Sequence, residues 1–166
     1  IENPYQKVMM EGLQESGFNV TYGSPNRFFC ILITYFSKKP DWVHFDWPYS
    51  FYSINLPVPF KWAVFYWFYF QLLIISCLTK CKLGYTLHNL ERHNFYNKKI
   101  DYKAQSVLFR YCSFIRVFNN ETIEKISEKW GRIDPAKFYI QPEGSYVNYY
   151  PNEINSTTAR NYFAYS

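Results

Sequence analysis

The 166-residue sequence predicts an α/β fold, a wound parallel sheet with helices on both faces. Three observations predict it. Strand-length alternating segments recur along the chain, separated by apolar or amphipathic stretches of ten or more residues, which is the pattern of successive β-α-β units. Clusters of Pro, Gly, Asn and Asp fall between these segments, where turns must reverse the chain. Finally, 48% of the residues are hydrophobic and 23% aromatic, enough to bury one sizeable core. Only 19% are charged, which excludes intrinsic disorder, and 6 Gly with 9 Pro exclude collagen-like or low-complexity architecture.

A helix opens the chain, with Asn3 as its N-cap, Pro4 at the first position, apolar Val8, Met9 and Leu13, and Gly17 as its stop. Phe18 to Tyr22 alternates as a strand, and Gly23-Ser24-Pro25-Asn26 breaks it. Arg27 to Phe36 is a helix-length apolar stretch ended by Lys38-Lys39-Pro40. Asp41 to Asp46 is the next strand, terminated by Trp47-Pro48, and a loop carrying Pro57 and Pro59 follows. A long hydrophobic helix from about Phe60 to Cys81 leads to a strand at Leu83 to His88, a basic loop, and a helix near Tyr102 to Cys112. A strand at Phe114 to Phe118 then meets Asn119 or Asn120, which caps the helix Glu121 to Trp130; Glu121 and Glu124 sit in the first turn, where the helix dipole prefers acids. Asp134 to Lys137 turns into a last strand, Phe138 to Gln141. A parallel α/β domain ordinarily begins with a strand, so the helical opening predicts that the fold's first strand is missing from this sequence.

The long helix has a second reading. Trp62 to Leu78 is 17 residues with Gln71 as the only strongly polar interior side chain, the lower limit for spanning a bilayer. Spanning would put the strands on either side of it in different compartments, so a helix packed on the sheet or lying at a membrane surface is expected. Trp62, Tyr66, Trp67 and Tyr69 favour the headgroup level.

The net charge of +5 is unevenly spread. Between Lys61 and Arg116 nine basic residues face only Glu91 and Asp101, a local excess of seven, whereas the rest of the chain has more acids than bases. Such a field favours an anionic partner: an anionic membrane surface, a pyrophosphate-linked substrate or nucleic acid. Nucleic acid is not expected, because the aromatics lie in apolar runs and do not interleave with Lys and Arg. The four cysteines form no CxxC pair; Cys77 and Cys81 read as two small buried side chains, and reduced thiols are expected. Three N-x-[ST] triplets, at Asn19, Asn120 and Asn155, follow no secretory signal.

Ligands of wound parallel sheets bind beyond the carboxyl ends of the strands. Three polar groups fall there: Asp46 after Val43-His44-Phe45; His88, Asn89, Glu91, Arg92 and His93 after Lys82 to Leu87; and Glu143-Gly144-Ser145-Tyr146 after the last strand. A carboxylate and an imidazole on adjacent strand ends can share general-base work, which makes Asp46 and His88 the candidate catalytic pair. His44 points away from Val43 and Phe45 and reads as a packed or hydrogen-bonded structural residue. No metal site is assigned, the spacing of Asp46, His88 and His93 being poor evidence for one. Dinucleotide-binding, P-loop and nucleophile-elbow motifs do not occur in the sequence.

Taken in order, Asn3-Pro4-Tyr5, Asp41-Trp42-Val43-His44-Phe45-Asp46-Trp47-Pro48, Thr86-Leu87-His88-Asn89-Leu90 with His93, and Ile140-Gln141-Pro142-Glu143-Gly144-Ser145-Tyr146 with Tyr150-Pro151 form a series. It resembles the amino-terminal half of group 1, family 4-like glycosyltransferases of the GT-B fold. Two positions depart from the family pattern, which commonly has a second His at Asp46 and Pro-His-Gly-Ser-Tyr where this chain reads Pro142-Glu143-Gly144-Ser145-Tyr146. The resemblance implies an enzyme of two Rossmann-like lobes, of which residues 1–151 form the acceptor-binding lobe and 152–166 start the crossover to a carboxyl-terminal donor lobe absent from the sequence. His88 would then face the donor sugar across the cleft. Asp46, Asn89, Arg92 and His93 would line the acceptor side, with Glu143, Gly144, Ser145 and Tyr146 also binding substrate. It further implies a nucleotide-sugar donor held mainly by the other lobe, no cofactor in this chain, and a sugar acceptor that is lipid-linked or a glycan, as in polysaccharide assembly. The location implied is cytoplasmic, peripheral at the inner face of the membrane, and the chain alone would be inactive. A non-catalytic membrane-peripheral binding module of the same fold is the alternative.

Overall fold

The computed structural model describes residues 5–91, 97–142 and 157–158. The chain divides into two compact units: Tyr22–Pro142, and the two chain ends Ile1–Thr21 with Glu143–Ser166. The described part of the terminal unit holds helix α1 (Tyr5–Glu15), which stops where expected: Gly17 adopts φ +88°, and the Phe18 N–H closes the helix end on Leu13 O at 3.0 Å. The predicted N-cap, Asn3, lies outside the described residues.

The larger unit is α/β. In chain order it contains α2 (Cys30–Lys38), β1 (Trp42–Phe45), α3 (Tyr49–Tyr52), α4 (Val58–Leu78), β2 (Lys82–Thr86), α5 (Lys98–Tyr111), β3 (Phe114–Val117), α6 (Asn120–Trp130) and β4 (Phe138–Ile140). The four strands form one parallel sheet in the order β1-β2-β3-β4. Strands β2, β3 and β4 are each entered after a helical crossover, as a parallel sheet requires, and the architecture is Rossmann-like α/β as expected, with α4, α5 and α6 together on one face of the sheet.

Local chemistry sets where the helices begin. Asn97 Oδ1 accepts the Lys99 and Ile100 N–H groups at 3.0 and 3.3 Å, which starts α5 one turn before Tyr102. Asn119, not Asn120, caps α6 by accepting the Thr122 N–H at 2.9 Å. Asn26 Oδ1 takes the N–H groups of Phe28 and Phe29, holding residues 27–29 in a turn and delaying α2 to Cys30. Lys39 ends α2 in the left-handed region at φ 45°. The alternation at Phe18 to Tyr22 does not produce a strand: Phe18 and Tyr22 are 61% and 58% exposed and no ladder partner is present among the described residues. Alternation alone does not make a strand when no sheet face needs covering.

Register sorts the strand side chains onto two faces. Val43, Phe45, Leu83, Tyr85, Ile115 and Val117 alternate onto the side where α4, α5 and α6 bury Phe65, Phe68, Leu72, Ile75, Ala104, Leu108 and Ile126. Each large side chain fully buried there contributes roughly 2 kcal/mol of transfer free energy. Trp42, His44, Lys82, Gly84, Thr86, Phe114, Arg116 and Tyr139 alternate to the other side. On that second face Gly84 lies between His44 and Phe114, its register partners on β1 and β3. A Cβ at Gly84 would collide with the Phe114 ring and come to 2.9 Å of His44 Nδ1. The bare backbone there lets the two rings stack at 5.4 Å and 16°.

Helix α4 is long and apolar enough to cross a membrane by length and composition. It is instead the crossover between β1 and β2, which are hydrogen-bonded neighbours, and it buries Phe65, Phe68, Gln71, Leu72 and Ile75. It ends at Leu78, so Cys81 lies beyond it and is buried, whereas Cys77 is exposed, contrary to the expectation of two buried thiols. All four cysteines are free; burial pushes the Cys112 thiol up to about 12.

Candidate functional site

Asp46 follows β1 directly and His88 stands two residues past the end of β2. The period of two along a strand puts His44 and Asp46 on one side of the sheet, and Thr86 with His88 on the same side of the neighbouring strand. The parallel register pairs His44 with Gly84, which carries Asp46 alongside Thr86 and His88 one pleat further on. A polar cluster at the carboxyl rim of the sheet results.

Its centre is the Asp46 carboxylate, with only 7% of the side chain exposed. Oδ1 lies 3.4 Å from His44 Nε2 and 3.6 Å from His88 Nε2. The second distance is longer than a hydrogen bond. His44 Nε2 also hydrogen-bonds Thr86 Oγ1 at 2.8 Å, so one hydroxyl and one carboxylate fix that ring. His88 is held by its faces: Trp47 stacks on it at 4.5 Å and 14°, and Phe118 approaches at 5.6 Å. Burial alone would raise the Asp46 pKa, but the two flanking imidazoles outweigh it and hold the carboxyl well below the usual carboxylate range. The site therefore presents a carboxylate that is ionised at neutral pH against two oriented imidazoles, the geometry that stabilises an imidazolium and supports proton transfer at a ring nitrogen.

Arg116, the next basic side chain along the rim, sits over the Phe118 ring at 5.2 Å. Its Nε and Nη2 donate to Gln141 O and Pro142 O at 3.4 and 3.1 Å, tying the end of β3 to the exit of β4.

Of the residues singled out from the sequence, Asp46 and His88 are brought together, and Asn89 is exposed beside His88. Arg92, His93, Glu143, Gly144, Ser145 and Tyr146 lie outside the described residues. Sequence reasoning missed His44 as a member of the cluster, along with Thr86 and Trp47. The His44–Asp46 spacing of two was the available signal, since it places both on one face. Among the described residues no group of three His, Cys, Asp or Glu side chains is arranged to hold a metal ion.

Small clefts occur elsewhere in the unit, one of about 50 Å³ lined by Leu90, Glu91, Lys98, Asp101, Gln105 and Lys129. That is far below the several hundred Å³ of a typical ligand pocket. No family model, no curated protein and no solved structure matches this chain.

Proposed function

We propose that this chain is the acceptor-binding lobe of a sugar-transferring enzyme, and that Asp46 and His88 handle the proton of the acceptor hydroxyl. The observation that supports this reading is the convergence of an ionised, nearly buried carboxylate and two imidazoles at the carboxyl rim of a parallel sheet. In the reaction the acceptor oxygen bonds to the anomeric carbon of a nucleotide sugar. The bond from that carbon to the diphosphate oxygen breaks, and the diphosphate leaves with the bonding electron pair. His88 takes the hydroxyl proton, and Asp46 stabilises the imidazolium that forms. His44, bonded to Thr86, is a positioning residue for the carboxylate. In this reading the exposed Asn89 bonds sugar hydroxyls. The nucleotide-sugar donor, in this reading, is held by a second lobe that closes over the rim.

The test is nucleoside diphosphate release from a panel of nucleotide sugars, by a protein that joins this chain to a donor-binding lobe. Asp46→Asn and His88→Ala are each expected to lower kcat/KM by about 10²- to 10⁴-fold. Retention of more than about a tenth of the activity by His88→Ala would sink the assignment.

A further inference from the structure

Helices α2 and α4 contain no Asp or Glu, and their outward positions are apolar. On α4, Phe60, Tyr66 and Phe70 are 61%, 55% and 48% exposed; on α2 and its lead-in turn, Phe29, Ile33 and Phe36 are 47%, 41% and 67% exposed. A helix that lies on a sheet ordinarily turns charged side chains outward. Here both inner and outer sides are apolar, and the inner one is already satisfied by the core. The two outward sides form one surface. Phe29 meets Trp67 edge-on at 5.2 Å, and Trp67 meets Phe70 at 5.7 Å. Trp67 Nε1 and Gln71 Nε2 both donate to Phe28 O, at 2.6 and 2.8 Å, locking the entry of α2 onto α4. From Phe60 to Phe70 the patch runs about 15 Å along α4.

Charge at the helix ends selects the occupant. Lys38 and Lys39 close α2, Lys61 stands in the first turn of α4, and Lys80 follows its last turn; Lys38 Nζ also donates to Tyr22 O at 2.7 Å. Between Tyr22 and Lys80 the only acids are Asp41 and Asp46, and Asp46 belongs to the histidine cluster. A contiguous aromatic surface bordered by lysines and without carboxylates matches the boundary between acyl chains and anionic headgroups. We propose that the outward faces of α2 and α4 dock this chain in the plane of an anionic phospholipid bilayer, with the rings at headgroup depth and the lysines on lipid phosphates. The core residues of α4 stay on the sheet, so docking requires no unfolding. The proposal is independent of sugar transfer.

The test is co-flotation of the 166-residue chain with phosphatidylcholine vesicles, with and without phosphatidylglycerol. Binding is expected only where phosphatidylglycerol is present, with a blue shift of tryptophan emission and release by salt. Phe36→Asp combined with Phe70→Asp is expected to abolish flotation, and Phe36→Leu with Phe70→Leu to preserve most of it. Lys38→Glu with Lys39→Glu is expected to weaken binding about thirtyfold or more. Circular dichroism checks that each variant folds, and His88→Ala should float as the parent does, which separates this result from any failure of sugar transfer. Equal binding to uncharged vesicles, no binding to either, or a dimer in sedimentation that the Phe36 and Phe70 aspartates dissociate without any vesicle binding would each overturn the proposal.

Discussion

The two faces of the sheet use the same four strands for opposite ends. On the helix side, Phe45, Leu83, Tyr85, Ile115 and Val117 are at most 5% exposed and belong to the hydrophobic core. On the other side, rings, cations and the His44–Thr86 hydrogen bond alternate, and the row ends in Asp46 and His88 at the rim. One face supplies the stability that lets the other hold a buried carboxylate between imidazoles. The division follows from the pleat: each residue commits to one side, so chemistry can be placed every second position without entering the core.

Breaking the helix side should cost most. Ile115→Ala removes a fully buried side chain at the centre of the sheet and is expected to cost about 2–5 kcal/mol by urea denaturation. A loss below about 1 kcal/mol would mean that the core relaxes into the gap and that the two faces are less different than they look. Gly84→Ala tests the second face. Its Cβ must displace the Phe114 and His44 rings, and a cost of about 1–3 kcal/mol is expected. The same variant should disturb the His44 and His88 ring resonances, whereas Ile115→Ala should leave them near their parent positions.

The smallest effect sharpens the comparison through pH. The Asp46 pKa is depressed in the folded chain, while the unfolded chain titrates this group near about 4. Between those values the unfolded state binds more protons, so stability falls as pH drops below about 4 and the contribution of Asp46 is fully present above it. Asp46→Asn should therefore flatten the acid limb of stability against pH, at a cost of about 1–3 kcal/mol near neutrality. An acid limb unchanged by the substitution would show that other carboxylates set it.

How much of this was legible in the sequence depends on how local each signal is. The strands at Trp42–Phe45, Phe114–Val117 and Phe138–Ile140 fall inside the segments read from alternation and flanking turn residues, and Lys82–Thr86 falls within one residue of its segment, because both cues are local. The helix starts at Asn97 and Asn119 depend on which Asn reaches back to an N–H, a choice made by backbone geometry that composition does not carry. Phe18 to Tyr22 has the pattern of a strand, and no neighbouring strand pairs with it among the described residues. Asp46 and His88 were recognisable from their places after strands. Alternation turns His44 from the core, which reads as a structural role, yet that same turn sends it to the side of Asp46. That β1 and β2 are neighbours in parallel register, and that Trp47 lies flat on His88, are long-range facts with no local trace. The α2–α4 patch was half legible: the apolar run announces a buried or membrane-seeking helix, and only the packing tells which residues are left over.

The indole of Trp47 rests face to face on the imidazole of His88, 4.5 Å away. A protonated imidazole in that position draws electron density from an excited indole and dims its emission. The charge state of the proposed base is thereby coupled to a light-emitting reporter already built into the chain, and gain or loss of one proton at that ring becomes an optical signal that needs no added label.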